Sequence, residues 1–233
     1  MTDAPIRAAN HDGSDAFWPA DPGALDTATS DPDALKETDG RRLRRALNRE
    51  AVVNALLDLY GEGNLRPSTD EIAERAGISP RSLFRYFEDA DDLAGEAVTR
   101  QLRRAMPLLP FAVGPDAPFD VRVVALVDQR LRLFTTLGQA AHVARLRAPF
   151  QPRLAKSLRD GRKFLRSQVR TLFTPELMSM ADDDSEAALA AADVLTGFES
   201  YQLLTGDQGL TVDEAKSVLL GALVVLLTPK GIR

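Results

Sequence analysis

The residues best equipped for chemistry lie in one run, Thr69-Asp-Glu-Ile-Ala-Glu-Arg-Ala-Gly77 followed by Ile78-Ser-Pro-Arg-Ser-Leu-Phe-Arg-Tyr-Phe87. Ser68-Thr-Asp-Glu71 is a capping box, serine at the cap and glutamate three residues on, and it opens a helix. Gly77 ends that helix, because glycine accepts the left-handed backbone that the turn requires. Ser79 caps the next helix with Pro80 at its first position, where a missing N–H does no harm. Two short helices across a glycine turn make a helix-turn-helix, a device for laying a helix into the DNA major groove.

Nothing comparable points to catalysis. Cysteine is absent, so disulfides and thiolate metal sites are excluded. The only histidines are His11 and His142, no serine or threonine sits in a nucleophile motif, and there is no glycine-rich phosphate loop. Asp182-Asp-Asp184 reads as the acidic start of a helix rather than a metal site. The expectation is a protein that is not an enzyme and uses no cofactor and no metal.

The net charge of −5 does not argue against DNA, because charge is segregated along the chain. Residues 1–40 carry nine acids and two bases, and residues 41–104 carry eleven acids and twelve bases. Residues 145–170 carry nine bases and one acid, whereas residues 171–233 carry three bases and ten acids. The most apolar stretch, Val218 to Leu227, is ten residues long, and a bilayer span needs about twenty. No secretory signal is visible at the acidic N-terminus, so a soluble, cytoplasmic chain without a membrane partner is expected.

Around the motif, residues 1–40 are rich in Asp, Ala, Pro, Thr and Ser and are expected to form a disordered acidic tail, with Phe17-Trp18 as its one aromatic pair. From Arg41 an amphipathic helix begins, with Leu43, Leu47, Val52, Val53, Leu56, Leu59 and Tyr60 on one broad stripe. Asp89 caps a further helix that carries Leu93, Val98 and Leu102 and ends before Pro107. Four prolines in residues 107–118 mark a connection. Helices are expected at 119–137, 141–147, 152–173, 184–205 and 212–227, the last opened by the capping box Thr211-Val-Asp-Glu214, and no strand is expected. The domains expected are the tail (1–40), a DNA-binding head with its connecting fourth helix (41–104) and a ligand-binding and dimerisation body (105–233).

Asn48-Arg-Glu-Ala-Val-Val-Asn-Ala-Leu-Leu-Asp-Leu-Tyr60, the capping box and helix to Gly77, and Ile78 to Phe87 with Leu93 beyond resemble the TetR family of bacterial transcriptional regulators over about residues 45–100. The resemblance implies an all-α homodimer of about nine helices, a three-helix head joined by a fourth helix to a larger body. It also implies a repressor released from a pseudo-palindromic operator in double-stranded DNA by a small-molecule effector, and a bacterial, cytoplasmic protein that is nucleoid-associated when bound. A TetR-like scaffold with weakened DNA contacts, acting through protein–protein interaction, is the alternative.

Carried onto this chain, the resemblance places Ser79, Pro80, Arg81, Ser82 and Arg85 of the third helix at the major groove. Arg81 suits a bidentate contact to guanine and equally a phosphate contact. Tyr86, Arg49, Ser68 and Thr69 stand where the family contacts phosphate. Arg41, Arg42, Arg44 and Arg45 form an arm suited to a neighbouring minor groove. Two departures weaken the grip: Phe84 replaces the usual Tyr, and Ala90, within Glu88-Asp-Ala-Asp-Asp92, replaces the usual Lys. In the body, Phe134, Phe164, Arg166, Phe198 and Tyr201 are the candidate effector-binding residues. Lys156, Arg159, Lys163, Arg166 and Arg170 are expected to form a solvated basic face. The last two helices are expected to pair between subunits.

Overall fold

Local capping chemistry starts the helices of the head. In the computed structural model, which describes residues 40–228 and side chains from Leu43 onward, α1 spans Gly40–Gly61, α2 Thr69–Ala76, α3 Pro80–Leu83 and α4 Ala90–Ala105. The acidic tail with Phe17-Trp18, and the side chains of Arg41 and Arg42, lie outside that range. Ser68 Oγ accepts from the Glu71 N–H at 3.2 Å, and the Glu71 carboxylate accepts from the Ser68 N–H at 2.7 Å. Gly77 closes α2 at φ 67°, and the next N–H, of Ile78, reaches back to the Ala73 carbonyl at 3.0 Å.

The body continues with α5 (Phe119–Arg147), α6 (Pro152–Leu172), α7 (Thr174–Met178), α8 (Asp182–Leu195), α9 (Phe198–Gln202) and α10 (Val212–Leu227). The fold is all-α, with no strand among the described residues. One expected boundary changes. The break expected between helices at 119–137 and 141–147 falls at Gly138, whose non-helical backbone divides Phe119–Arg147 into two helical segments, whereas the helix expected at 184–205 is interrupted at Thr196-Gly197. At the interruption the Thr196 hydroxyl donates to the Ala192 carbonyl at 2.7 Å, and a Cβ on residue 197 would stand only 3.2 Å from the Val194 carbonyl oxygen. The chain therefore turns where the side chain is smallest.

Three apolar clusters stack along α5. The head cluster joins Val52, Val53, Leu56 and Tyr60 of α1 to Ile72, Leu83, Phe87, Leu93 and Ala97, and it takes in Ala140 and Val143 of α5. A middle cluster packs Val98 and Leu102 of α4 on Leu133, Phe134 and Leu137 of α5, with Phe164 and Phe198. A distal cluster combines Val123, Leu126 and Val127 with Val169, Leu172, Leu189, Leu219 and Leu223. Leu43 and Leu47, expected on the buried stripe of α1, are instead 60% and 55% exposed. The first turns of α1 meet the end of α3 through polar contacts, Arg45 with the Arg85 carbonyl and Asn48 with Tyr86, which leave Leu43 and Leu47 uncovered among the described residues.

The basic face of α6 is solvated as expected, and its charges find acids. Lys156 pairs with Asp160 at 2.7 Å, and Arg166 and Arg170 pair with Glu186 of α8 at 3.3 and 2.8 Å. Two arginines of α5 are buried without any sequence signal. Arg122 meets both carboxylate oxygens of Glu176 at 2.6 and 2.7 Å and also donates to the Ala117 and Leu172 carbonyls. Arg130 has neutral acceptors only, Gln129, Gln168 at 2.9 Å and the Leu165 carbonyl at 2.9 Å, and burial pushes its pKa down to about 9.

The clamp between Arg122 and Glu176 ties the start of α5 to α7. Arg122→Ala strands a carboxylate that is only 13% exposed, so urea unfolding should show a loss of about 3 kcal/mol, the low end for a buried pair. The double variant Arg122→Met/Glu176→Leu should lose less than the single one, and an equal or greater loss would contradict this account. Gly138 holds φ 50° and ψ −145°, a backbone open essentially to glycine. Although a Cβ there would meet no atom within 4 Å, Gly138→Ala should cost about 1–3 kcal/mol in the same measurement, from backbone strain alone.

Candidate nucleic-acid interface

Leu83 and Phe87 are buried one helical turn apart and pin α3 to the head. Their burial turns the opposite side outward, so that Pro80, Arg81, Phe84 and Arg85 are exposed. Regular α-helix ends at Leu83, but the Tyr86 N–H and Phe87 N–H still bond to the Leu83 carbonyl at 2.9 and 3.2 Å. This keeps Arg81, Phe84 and Arg85 on one face. Among the described residues neither Arg81 nor Arg85 has an acidic partner. Ser79 caps the helix and shares a 2.9 Å hydrogen bond with the partly buried Ser82 hydroxyl.

The flanking candidates divide into free and engaged groups. Arg44 and Arg45 are exposed at the N-terminal end of α1, and Arg45 donates to the Arg85 carbonyl at 3.4 Å, which brings that end beside α3. Arg49 instead pairs with Glu96 of α4 at 3.1 Å and lies 4.9 Å from the centre of the Phe87 ring. Burial opposes ionisation of Glu96, but Arg49 and Arg103 outweigh it and hold the carboxyl below its usual range. Tyr86 accepts at its hydroxyl from Asn48 at 3.0 Å. The Ser68 hydroxyl is occupied by Glu71, and Thr69 is half-buried at the first position of α2.

The acidic cluster at α4 has internal work. Asp89 Oδ1 accepts from the N–H groups of Asp91 and Asp92, both at 2.8 Å, Asp92 accepts from the Glu88 N–H at 3.1 Å, and Asp91 pairs with Arg147 of α5. The cluster caps α4 and fastens it to the end of α5.

A second site lies behind the head. An apolar cavity of about 50 Å³ opens between α4, α5 and α6, lined by Val98, Gln101 and Leu102, by Phe134, Leu137 and Ala141, and by Leu158 and Leu165. Of the expected effector residues, only Phe134 lines it. Phe164 and Phe198 lie in the adjoining core, Tyr201 packs on that core, and Arg166 points to Glu186 and Asp193. Arg145 and Arg162, which sequence reasoning passed over, also line the cavity. The signal for Arg162 was its place between Leu158 and Leu165, at the edge of the apolar stripe of α6.

Residues 53–97 match the family model of the bacterial regulatory proteins of the tetR family. No curated protein matches the chain in sequence. Among solved structures, a transcriptional regulator from Rhodococcus sp. Rha1 is similar in fold, with a TM-score of 0.57 and 17% identity over 76% of this chain and 96% of that one. The match falls on the helices that build and present α3, from the second half of α1 to the middle of α4, and over those residues the chain is similar to the tetR family of bacterial regulatory proteins.

Proposed function

We propose that the protein is a homodimeric transcriptional repressor that leaves its operator when a small effector occupies the cavity between α4, α5 and α6. The observation that carries this reading is the double role of α4. Its first half, with Leu93 and Ala97, belongs to the core that holds α3, and its second half, with Gln101 and Leu102, is a wall of the cavity. Filling the cavity displaces the helix on which the head is mounted, and the effector works by its differential affinity for the two positions.

In this reading Arg81 and Arg85 meet the major groove, and Phe84, 54% exposed beside them, is suited to an apolar contact with a thymine methyl group. Arg41, Arg42, Arg44 and Arg45 supply the electrostatic arm. Dimerisation uses α8 and α10, where Val194, Val218 and Val225 are 68%, 48% and 66% exposed. Two heads in a two-fold dimer face half-sites about 34–36 Å apart, or a multiple of that, on a pseudo-palindromic operator. A bacterial, cytoplasmic protein that joins the nucleoid when bound follows from this role. The engagement of Arg49 with Glu96 and of Tyr86 with Asn48 favours, as a second reading, a scaffold with weak DNA contacts that acts through other proteins.

Binding to the DNA flanking its own gene, titrated across salt concentrations, separates the two. The repressor reading expects a sequence-selective complex with a steep salt dependence. Arg81→Ala should weaken it by about 1–3 kcal/mol and relax selectivity, and Arg44→Ala should weaken all sequences alike and lower the salt slope by about one. Absence of selectivity at low salt would sink the repressor reading.

A further inference from the structure

We infer that the cavity between α4, α5 and α6 selects a small amphipathic anion, with its apolar body against Leu102, Phe134 and Leu137 and its carboxylate on Arg145 and Arg162. This deepens the effector reading above and rests on it. Apart from Gln101 and the two arginines the lining is hydrocarbon, and about 50 Å³ is room for a few water-sized groups or a short aliphatic chain. Gln101 is itself committed, donating to the Thr136 carbonyl at 2.5 Å, so the polar recognition falls to the two arginines.

Both arginines turn to one acid. Arg145 Nε donates to Glu199 Oε1 at 2.9 Å, and Arg162 Nη2 donates to the same oxygen. Arg145 also donates from Nη1 to the Ala141 carbonyl at 3.0 Å and lies 3.9 Å from the centre of the Phe198 ring. Among the described residues no other acid bonds to either guanidinium. Asp193 also acts on Arg162 but is shared with Arg166 and Arg130. Two cations against one bonded carboxylate therefore leave a residual positive charge beside an apolar cavity. Nη2 of Arg145 and Nε and Nη1 of Arg162 have no hydrogen-bond partner among the described residues. The Arg145 side chain is 24% exposed, so a carboxylate arriving there leaves much of its water behind and meets a stronger field than in solution. Burial opposes ionisation of Glu199, but the arginines hold it down to about 2, so the resident acid stays charged throughout the range in which a carboxylate ligand is also charged.

Calorimetric titration of the full chain with hexanoate and hexan-1-ol tests the inference. Hexanoate should bind about tenfold or more tightly than hexan-1-ol, as expected for charge-assisted hydrogen bonds in a partly buried site. Glu199→Gln, an exposed substitution that removes the competing charge, should tighten carboxylate binding several-fold and leave the alcohol unchanged. Arg162→Gln, also exposed, should abolish the preference for the carboxylate. If hexan-1-ol binds as well as hexanoate, and both are lost in folded Ala141→Leu, the anion class is overturned while the effector cavity stands. If no probe binds, or if carboxylate binding is indifferent to both Glu199→Gln and Arg162→Gln, the inference is overturned, and in the first of these cases the effector reading of the cavity goes with it.

Discussion

The bend in α5 at Gly138, and the grip that α4 takes on it, is the constraint on which the rest of the molecule depends. At 29 residues α5 is about 43 Å long, and it contributes to all three apolar clusters. The non-helical backbone at Gly138 breaks the ladder of i→i−4 hydrogen bonds there, and Gln101 of α4 supplies a donor to the Thr136 carbonyl just before the break. This partly buried hydrogen bond couples the position of α4 to the shape of α5. The cavity lies against this joint, with wall residues on both sides of Gly138. The head stands on the other end of α4.

Charge follows the same division. Acids and bases alternate within the head and are used for joints, Arg49 with Glu96 and Arg147 with Asp91, while the outward side of α3 keeps arginines that have no acidic partner among the described residues. In the body, basic α6 lies against acidic α8, which accounts for the opposite charge of residues 145–170 and 171–233. The whole-chain charge of −5 therefore says little about the surface that α3 presents.

The head was legible in the sequence because its signals are local. Ser68 with Glu71, Gly77, Ser79 with Pro80, and Asp89 each act within a few residues, and each stands in the structure as its type and spacing imply. The body was less legible because its decisive contacts are distant. Arg122 finds Glu176 across 54 positions, and Arg145 and Glu199 meet across 54 more. The break between 119–137 and 141–147 was legible too, and the structure narrows it to the non-helical backbone of Gly138. Leu43 and Leu47 failed for another reason. Their spacing suits a buried stripe, but periodicity does not tell whether an apolar neighbour covers it. Arg162 was legible in principle, from its place beside Leu158 and Leu165.

The central claim is that α3 of a two-fold dimer reads DNA. Selection of bound duplexes from a random-sequence pool tests it most directly, because the operator sequence need not be known. The account predicts enrichment of a pseudo-palindrome whose half-sites are about 10 base pairs apart, or a multiple of that, centre to centre. A pool that stays random after repeated selection, or that yields a motif without two-fold symmetry, would contradict it.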